Sequence, residues 1–272
     1  MKVRSALLAA ATLSAMVASA SLAPVAHAGS APRLDSRGLG VMIPSHAKSN
    51  VNGSQDSLNW SGYVVNPTGA HQVTAVNSTF VVPAVNSTTP GFAATWTGIG
   101  GDPSADLIQA GISEQFAPGF GPSYGAWYEI LPAAETPISG CSNDPACTVN
   151  AGDTVSVSIT ESGLNHWLIS ITDTGHWTYS TSLNYTSTHS SAEWILEAPT
   201  VGAQTVMPSM GNAVFDPGNS FALDGGAAQN FSTGNPTITT MNTFEGTPSA
   251  IDGDGDGFTA CAYKLSCPTP SS

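Results

Sequence analysis

From Asn59 onward, apolar and polar residues alternate in one short segment after another, and this period of two constrains the fold more than anything else in the chain. In Asp153-Thr-Val-Ser-Val-Ser-Ile-Thr160, Val155, Val157 and Ile159 share one face, while Ser156, Ser158 and Thr160 share the other. His166 to Asp173 and Trp177 to Tyr185 read as a hairpin turning at Thr174-Gly175. Comparable runs lie at 60–66, 73–82, 92–99, 106–113, 124–131, 191–198 and 239–244, and 28 Gly and 19 Pro supply the turns between them. No convincing helix exceeds two turns, and no fixed-period repeat of the propeller or solenoid type is present. With 41% hydrophobic residues the chain can bury a sizeable core. The pattern predicts an all-β fold, a sandwich of two antiparallel sheets.

Charge narrows the partners. Nineteen acids against six bases give a net charge of −13 and a pI near 4.4. Nucleic acid and anionic membrane surfaces are therefore poor partners. Lys2 and Arg4, the apolar run Ala6 to Val17 and the small residues of Ala26-His27-Ala28 read as a secretory signal peptide over 1–28. No later run is long enough for a transmembrane helix, so the mature protein is expected to be secreted and extracellular, and it is read as a monomer. Residues 29–56 hold Arg33, Arg37 and Lys48 and no aromatic residue, as a linker or short pro-segment would. Residues 57–272 form the expected domain, with seventeen acids and one base, Lys264.

Export changes how the cysteines are read. Cys141 and Cys147 bracket Ser-Asn-Asp-Pro, and Cys261 and Cys267 have the same spacing. Of three possible pairings the two local disulfides are the simplest, and zinc is disfavoured because neither pair is CxxC and no histidine stands near. Asp252-Gly-Asp-Gly-Asp-Gly257 resembles the start of a calcium loop but has Tyr263 at the twelfth position, so an acidic turn is the better reading of Asp252, Asp254 and Asp256. No metal and no cofactor are assigned.

Several catalytic machines are missing: the sequence has no GxSxG, no HExxH and no P-loop. Asp173-Thr174-Gly175 spells the aspartic-protease tripeptide, but the only second candidate, Asp224-Gly225-Gly226, lacks the Ser or Thr, and a hairpin turn is preferred. More informative is Ser191-Ala-Glu-Trp-Ile-Leu-Glu-Ala198. As a strand it places Glu193, Ile195 and Glu197 on one face and Trp194, Leu196 and Ala198 on the other, so its carboxylates look outward or into a cleft. Asp106-Leu-Ile-Gln-Ala-Gly-Ile-Ser113 puts Gln109 alone on a polar face, with small Gly111 leaving room for a substrate chain. An amide that donates to a developing oxyanion, beside a carboxylate that takes a proton from water, suffices for acyl hydrolysis without metal or covalent intermediate.

Five ordered blocks carry a wider resemblance: Asn59-Trp-Ser-Gly-Tyr-Val-Val65, Trp96-Thr-Gly-Ile-Gly-Gly-Asp102, Leu107-Ile-Gln-Ala-Gly-Ile112, Tyr124-Gly-Ala-Trp-Tyr-Glu129 and Ser191-Ala-Glu-Trp-Ile-Leu-Glu197. Together they resemble the glutamic peptidases, or eqolisins. The resemblance implies a lectin-like sandwich of the concanavalin type with its active site on the concave face of one sheet. It also implies an acid-active, pepstatin-insensitive endopeptidase of proteins and peptides, with a dyad that maps to Gln109 and Glu193. Trp60, Trp96, Trp127, Tyr128 and Glu129 match positions lining the cleft, although each aromatic also reads as core. Two other classes compete. A β-jelly-roll glycoside hydrolase would use Glu129 with Glu193, or Glu193 with Glu197, and leave Gln109 without a role. A non-catalytic carbohydrate-binding module would need neither member of the dyad.

Overall fold

The computed structural model describes residues 48–49, 54–201, 203–241 and 245–272. The expected signal peptide, all of 29–56 except 48–49 and 54–56, and the end of the expected 239–244 strand lie outside the described residues. Two nine-stranded sheets form the sandwich. The front sheet runs, edge to edge, Lys48–Ser49, Gln55–Ser57, Thr237–Met241, Trp60–Val65, Ala192–Glu197, Gly91–Gly100, Leu107–Ala117, Gly121–Ile130 and Thr136–Pro137. The main path of the back sheet is Trp177–Asn184, His166–Asp173, Thr154–Gly163, Val73–Val81, Ala213–Phe215, Phe258–Ala262 and Gly246–Pro248, with Ser220–Leu223 also paired to Val73–Val81. Pairing is antiparallel except between Gln55–Ser57 and Thr237–Met241.

The alternation does what pattern physics requires on the back sheet. In Thr154–Gly163, Val155, Val157 and Ile159 are buried and the residues between them are not. Between the sheets pack Trp167, Trp177, Trp194, Phe80, Phe215, Phe231 and Phe258, with Phe215 and Phe258 stacked at 4.7 Å. Each such side chain is worth roughly 1.5–3 kcal/mol of burial. The indole N–H groups find acceptors: Trp194 Nε1 donates to Asn77 O across the sandwich at 2.9 Å, and Trp177 Nε1 to Thr148 O at 2.7 Å. Cys141 is bonded to Cys147 and Cys261 to Cys267, the local pairings.

The front sheet departs from the simple pattern, because Trp60–Val65 and Ala192–Glu197 are buried at every position. A second apolar cluster, including Trp60, Val64, Phe92, Trp96, Leu107, Trp127 and Ile195, is buried on its outer face, the face that Glu193 and Gln109 share. Glu193 and Gln109 are therefore enclosed rather than looking outward. Gly111 serves this packing and leaves no room for substrate: a methyl built on it would lie 2.2 Å from Thr95 O and 2.5 Å from Trp96 Cβ. Gly111→Ala is expected to cost about 1–3 kcal/mol by overpacking, read as a lower urea midpoint at pH 4.

Candidate active site

Register places three polar residues and a glycine, from four adjacent strands, in one row. Glu193 pairs with Gly98, Gly98 with Gln109, and Gln109 with Glu129. Because side chains directly across antiparallel strands share a face, Glu193, Gln109 and Glu129 all project to the outer side of the front sheet. The Glu193 and Gln109 backbones stand two strands apart, about 9–10 Å, with Gly98 between them. Gly98 has no side chain to stand between the two; a methyl there would lie 3.0 Å from Gln109 Cβ.

All three polar residues are 0% exposed. Gln109 Nε2 donates to Glu129 Oε2 at 2.7 Å, which fixes which end of the amide faces Glu129. Gln109 Oε1 has no partner among the described residues, and the Glu193 carboxylate has only the Ser191 hydroxyl beside it. Burial pushes the Glu193 carboxyl well above its ordinary range. Ser191 offsets part of this, while Asp102 and Asp106 push the same way as burial.

One row further along lie Ile195, Trp96, Gly111 and Trp127. Trp60 and Trp96 meet edge to face at 5.0 Å. The tip of the Trp60 ring reaches the Gly101 corner, where a built methyl would lie 2.9 Å away. Trp127 Nε1 is a buried donor with no acceptor among the described residues. Tyr128 points to the other face and stacks on Tyr179 of the back sheet at 6.4 Å, so it lines the sandwich core and not this site.

Glu197 shares the face of Glu193, but its carboxylate is occupied: Asn59 Nδ2 donates to Oε1 at 3.1 Å and Trp96 Nε1 to Oε2 at 2.9 Å. It holds the Trp96 indole in place. Asp106, to which the sequence assigns no site role, ties together the approaches to both key strands. It accepts from Thr188 N at 2.6 Å, Thr188 Oγ1 at 2.8 Å and Ser187 Oγ at 3.1 Å, just before the Glu193 strand begins. Burial pushes the Asp106 carboxyl up, but its hydrogen bonds to Thr188, Ser104 and Ser187 together hold it below the usual range. Asp173-Thr174-Gly175 forms a hairpin turn in the back sheet, with Gly175 at φ 81°, as the sequence predicts.

An enclosed carboxyl beside an amide held by a second carboxylate, on the outer face of an antiparallel sandwich, can take a proton from water and donate to a developing oxyanion. The chain belongs to the Peptidase A4 family, the glutamic peptidases, whose sequence profile matches residues 58–255. Among solved structures, scytalido-glutamic peptidase with a transition-state analog inhibitor superposes with a TM-score of 0.62 at 21% identity, over 75% of this chain and 98% of that one. SCP-B, an eqolisin in complex with the tripeptide Ala-Ile-His, gives 0.57 at 20% identity over 75% and 98%. Aspergilloglutamic peptidase from Aspergillus niger gives 0.53 at 22% identity over 63% and 98%. At these identities the likeness to the solved structures is one of fold. No curated protein matches the chain.

Another buried acid makes stability depend on pH. Glu114 faces the core between the sheets, is 0% exposed, and has its carboxyl pushed up to about 8 by burial, with nearby Thr95 opposing. A carboxyl raised on folding stabilises fully below its unfolded value of 4.5, and that contribution is lost as pH rises through the folded value. Glu193 acts in the same direction. Asp106, lowered on folding, works the opposite way only as pH falls below its ordinary 3.8. The melting temperature is therefore expected to fall between pH 4.5 and pH 8. Glu114→Gln should remove a loss on the order of a few kcal/mol, seen as a flatter melting profile by circular dichroism.

Proposed function

We propose that the chain is a secreted acid endopeptidase in which Glu193 moves the proton and Gln109 stabilises the tetrahedral intermediate. The observation that carries this reading is the row Glu193, Gly98, Gln109, Glu129, which sets a buried carboxyl with no counter-charge across one glycine from an amide of fixed orientation. Ionised Glu193 takes a proton from water as the water oxygen bonds to the scissile carbonyl carbon. The resulting oxyanion accepts from the Gln109 N–H that Glu129 does not use. The C–N bond then breaks, and Glu193 returns its proton to the departing amine. A carboxyl whose environment favours the protonated form is a stronger base once ionised, and entry of water and peptide supplies the solvation that ionisation needs.

Glu129 is a positioning residue: as an acceptor it keeps the amide nitrogen of Gln109 on its own side. Trp127 Nε1 supplies a further donor for a peptide carbonyl, and Trp60 and Trp96 form the apolar wall. The glycoside hydrolase reading needs a free pair of carboxylates, and Glu197 is already engaged by Asn59 and Trp96. Acid operation is supported by the seventeen acids and single base of 57–272, whose mutual repulsion fades as they protonate. Secretion is supported by the basic start, apolar run and Ala26-His27-Ala28.

Casein hydrolysis at pH 3–4 with pepstatin present tests the activity. Glu193→Gln should abolish it with an unchanged far-UV spectrum, whereas Gln109→Ala should lower kcat by at least about a hundredfold with less effect on KM. Glu129→Gln should lower kcat less than Gln109→Ala does. An active Glu193→Gln variant would remove the proposed dyad.

A further inference from the structure

The back sheet carries a second group of chemistry-bearing side chains, distant in the fold from the row just described. Asp153 precedes the Thr154–Gly163 strand, Asp173 ends the His166–Asp173 strand, and His176 follows in the hairpin turn. One ligand atom from each lies within 4.8 Å of the other two. Asp173 is 0% exposed, and the side chains beside its carboxylate are His176 and Asp153, the other two members of the group. Its one ion-pair neighbour is His176, whose Nδ1 stands 3.0 Å from Oδ2 and whose side chain is 55% exposed.

We propose that Asp153, Asp173 and His176 form a binding site for one divalent transition-metal ion of the zinc type. A buried carboxylate whose polar neighbours are a second carboxylate and one exposed imidazole draws a cation into the space among the three. One imidazole nitrogen and two carboxylate oxygens are a borderline-soft set that suits zinc better than calcium, with water completing a four-coordinate shell. Tetrahedral ligands at zinc distances stand about 3.3 Å apart, so atoms within 4.8 Å of one another need to close by about 1.5 Å at most.

The surroundings resemble a prepared site. Asn150 N donates to Asp153 Oδ2 at 2.6 Å, orienting that carboxylate. The turn is braced by His176 N to Asp173 O at 3.0 Å and Thr174 N to Thr154 O at 2.9 Å. The exposed His176 ring gives an entry path from solvent. A bound ion would clamp the hairpin turn to the start of the neighbouring strand, closing this end of the sheet.

Isothermal titration of the metal-free mature protein with zinc chloride at pH 7 tests the site. One zinc per chain is expected, with a rise in melting temperature that grows with free zinc. His176→Ala, a change in an exposed turn, and Asp153→Asn should each weaken binding at least about tenfold, or 1.4 kcal/mol. His71→Ala and Asp252→Asn, the latter in the separate Asp216, Asp252, Asp256 group, should leave it unchanged. Absence of binding at millimolar zinc would overturn the proposal. So would binding that survives His176→Ala, or binding lost in Asp252→Asn alone.

Discussion

The front sheet is buried on both faces, and everything chemical in the site depends on that. An ordinary antiparallel sheet packs one face and wets the other, as the back sheet does, where Leu168 is 41% exposed between buried Trp167 and Ile169. Here indoles and aliphatic side chains cover the second face as well, so a carboxyl there loses its water and gains no counter-charge. Glu193 is left with a strong preference for its proton, while Glu197, four residues on, keeps two donors and becomes a brace for Trp96. The same residue type on the same strand face thus has two physical fates, set by whether donors stand next to it.

Register converts that environment into a site. Had the Ala192–Glu197 strand slipped by one residue against Gly91–Gly100, Glu193 would face the core between the sheets and Trp194 would take its place. The pairing is held on both sides, by Trp60–Val65 and by Gly91–Gly100. Asp106 adds a further tie at the strand entrances through Ser187 and Thr188. Gly98 and Gly111 then divide the work: one keeps the ground between Glu193 and Gln109 clear of a side chain, and the other admits the Trp96 backbone and Cβ.

Much of this was legible in the residues. Alternation located the long strands to within a few positions, because a half-buried sheet writes contrast into its sequence; His166–Asp173 matches at both ends. Phe258–Ala262 was not legible, since all five residues are buried and the pattern has no contrast to read. The faces of Glu193 and Gln109 followed from parity alone. Parity also places Tyr128 opposite Trp127 and Glu129, yet the motif that groups the three cannot show that Tyr128 belongs to the core. Enclosure of Glu193 and Gln109 was not legible either, because burial of a second face depends on what packs over it, and strand pattern is silent on that. Asp106 escaped because its partners lie about eighty residues away.

Stability on the acid side follows from the same enclosure. The site sheet places Glu193 and, on its other face, Glu114 where water does not reach, and both carboxyls bind protons more tightly folded than unfolded. Each is tolerated at low pH as a neutral group and becomes a buried charge as pH rises. A surface of many acids and a single lysine adds repulsion over the same interval. An environment that raises the Glu193 and Glu114 carboxyls in this way also places the folded state's best range on the acid side, so the proton affinity and the pH-dependent stability of this sheet have one cause.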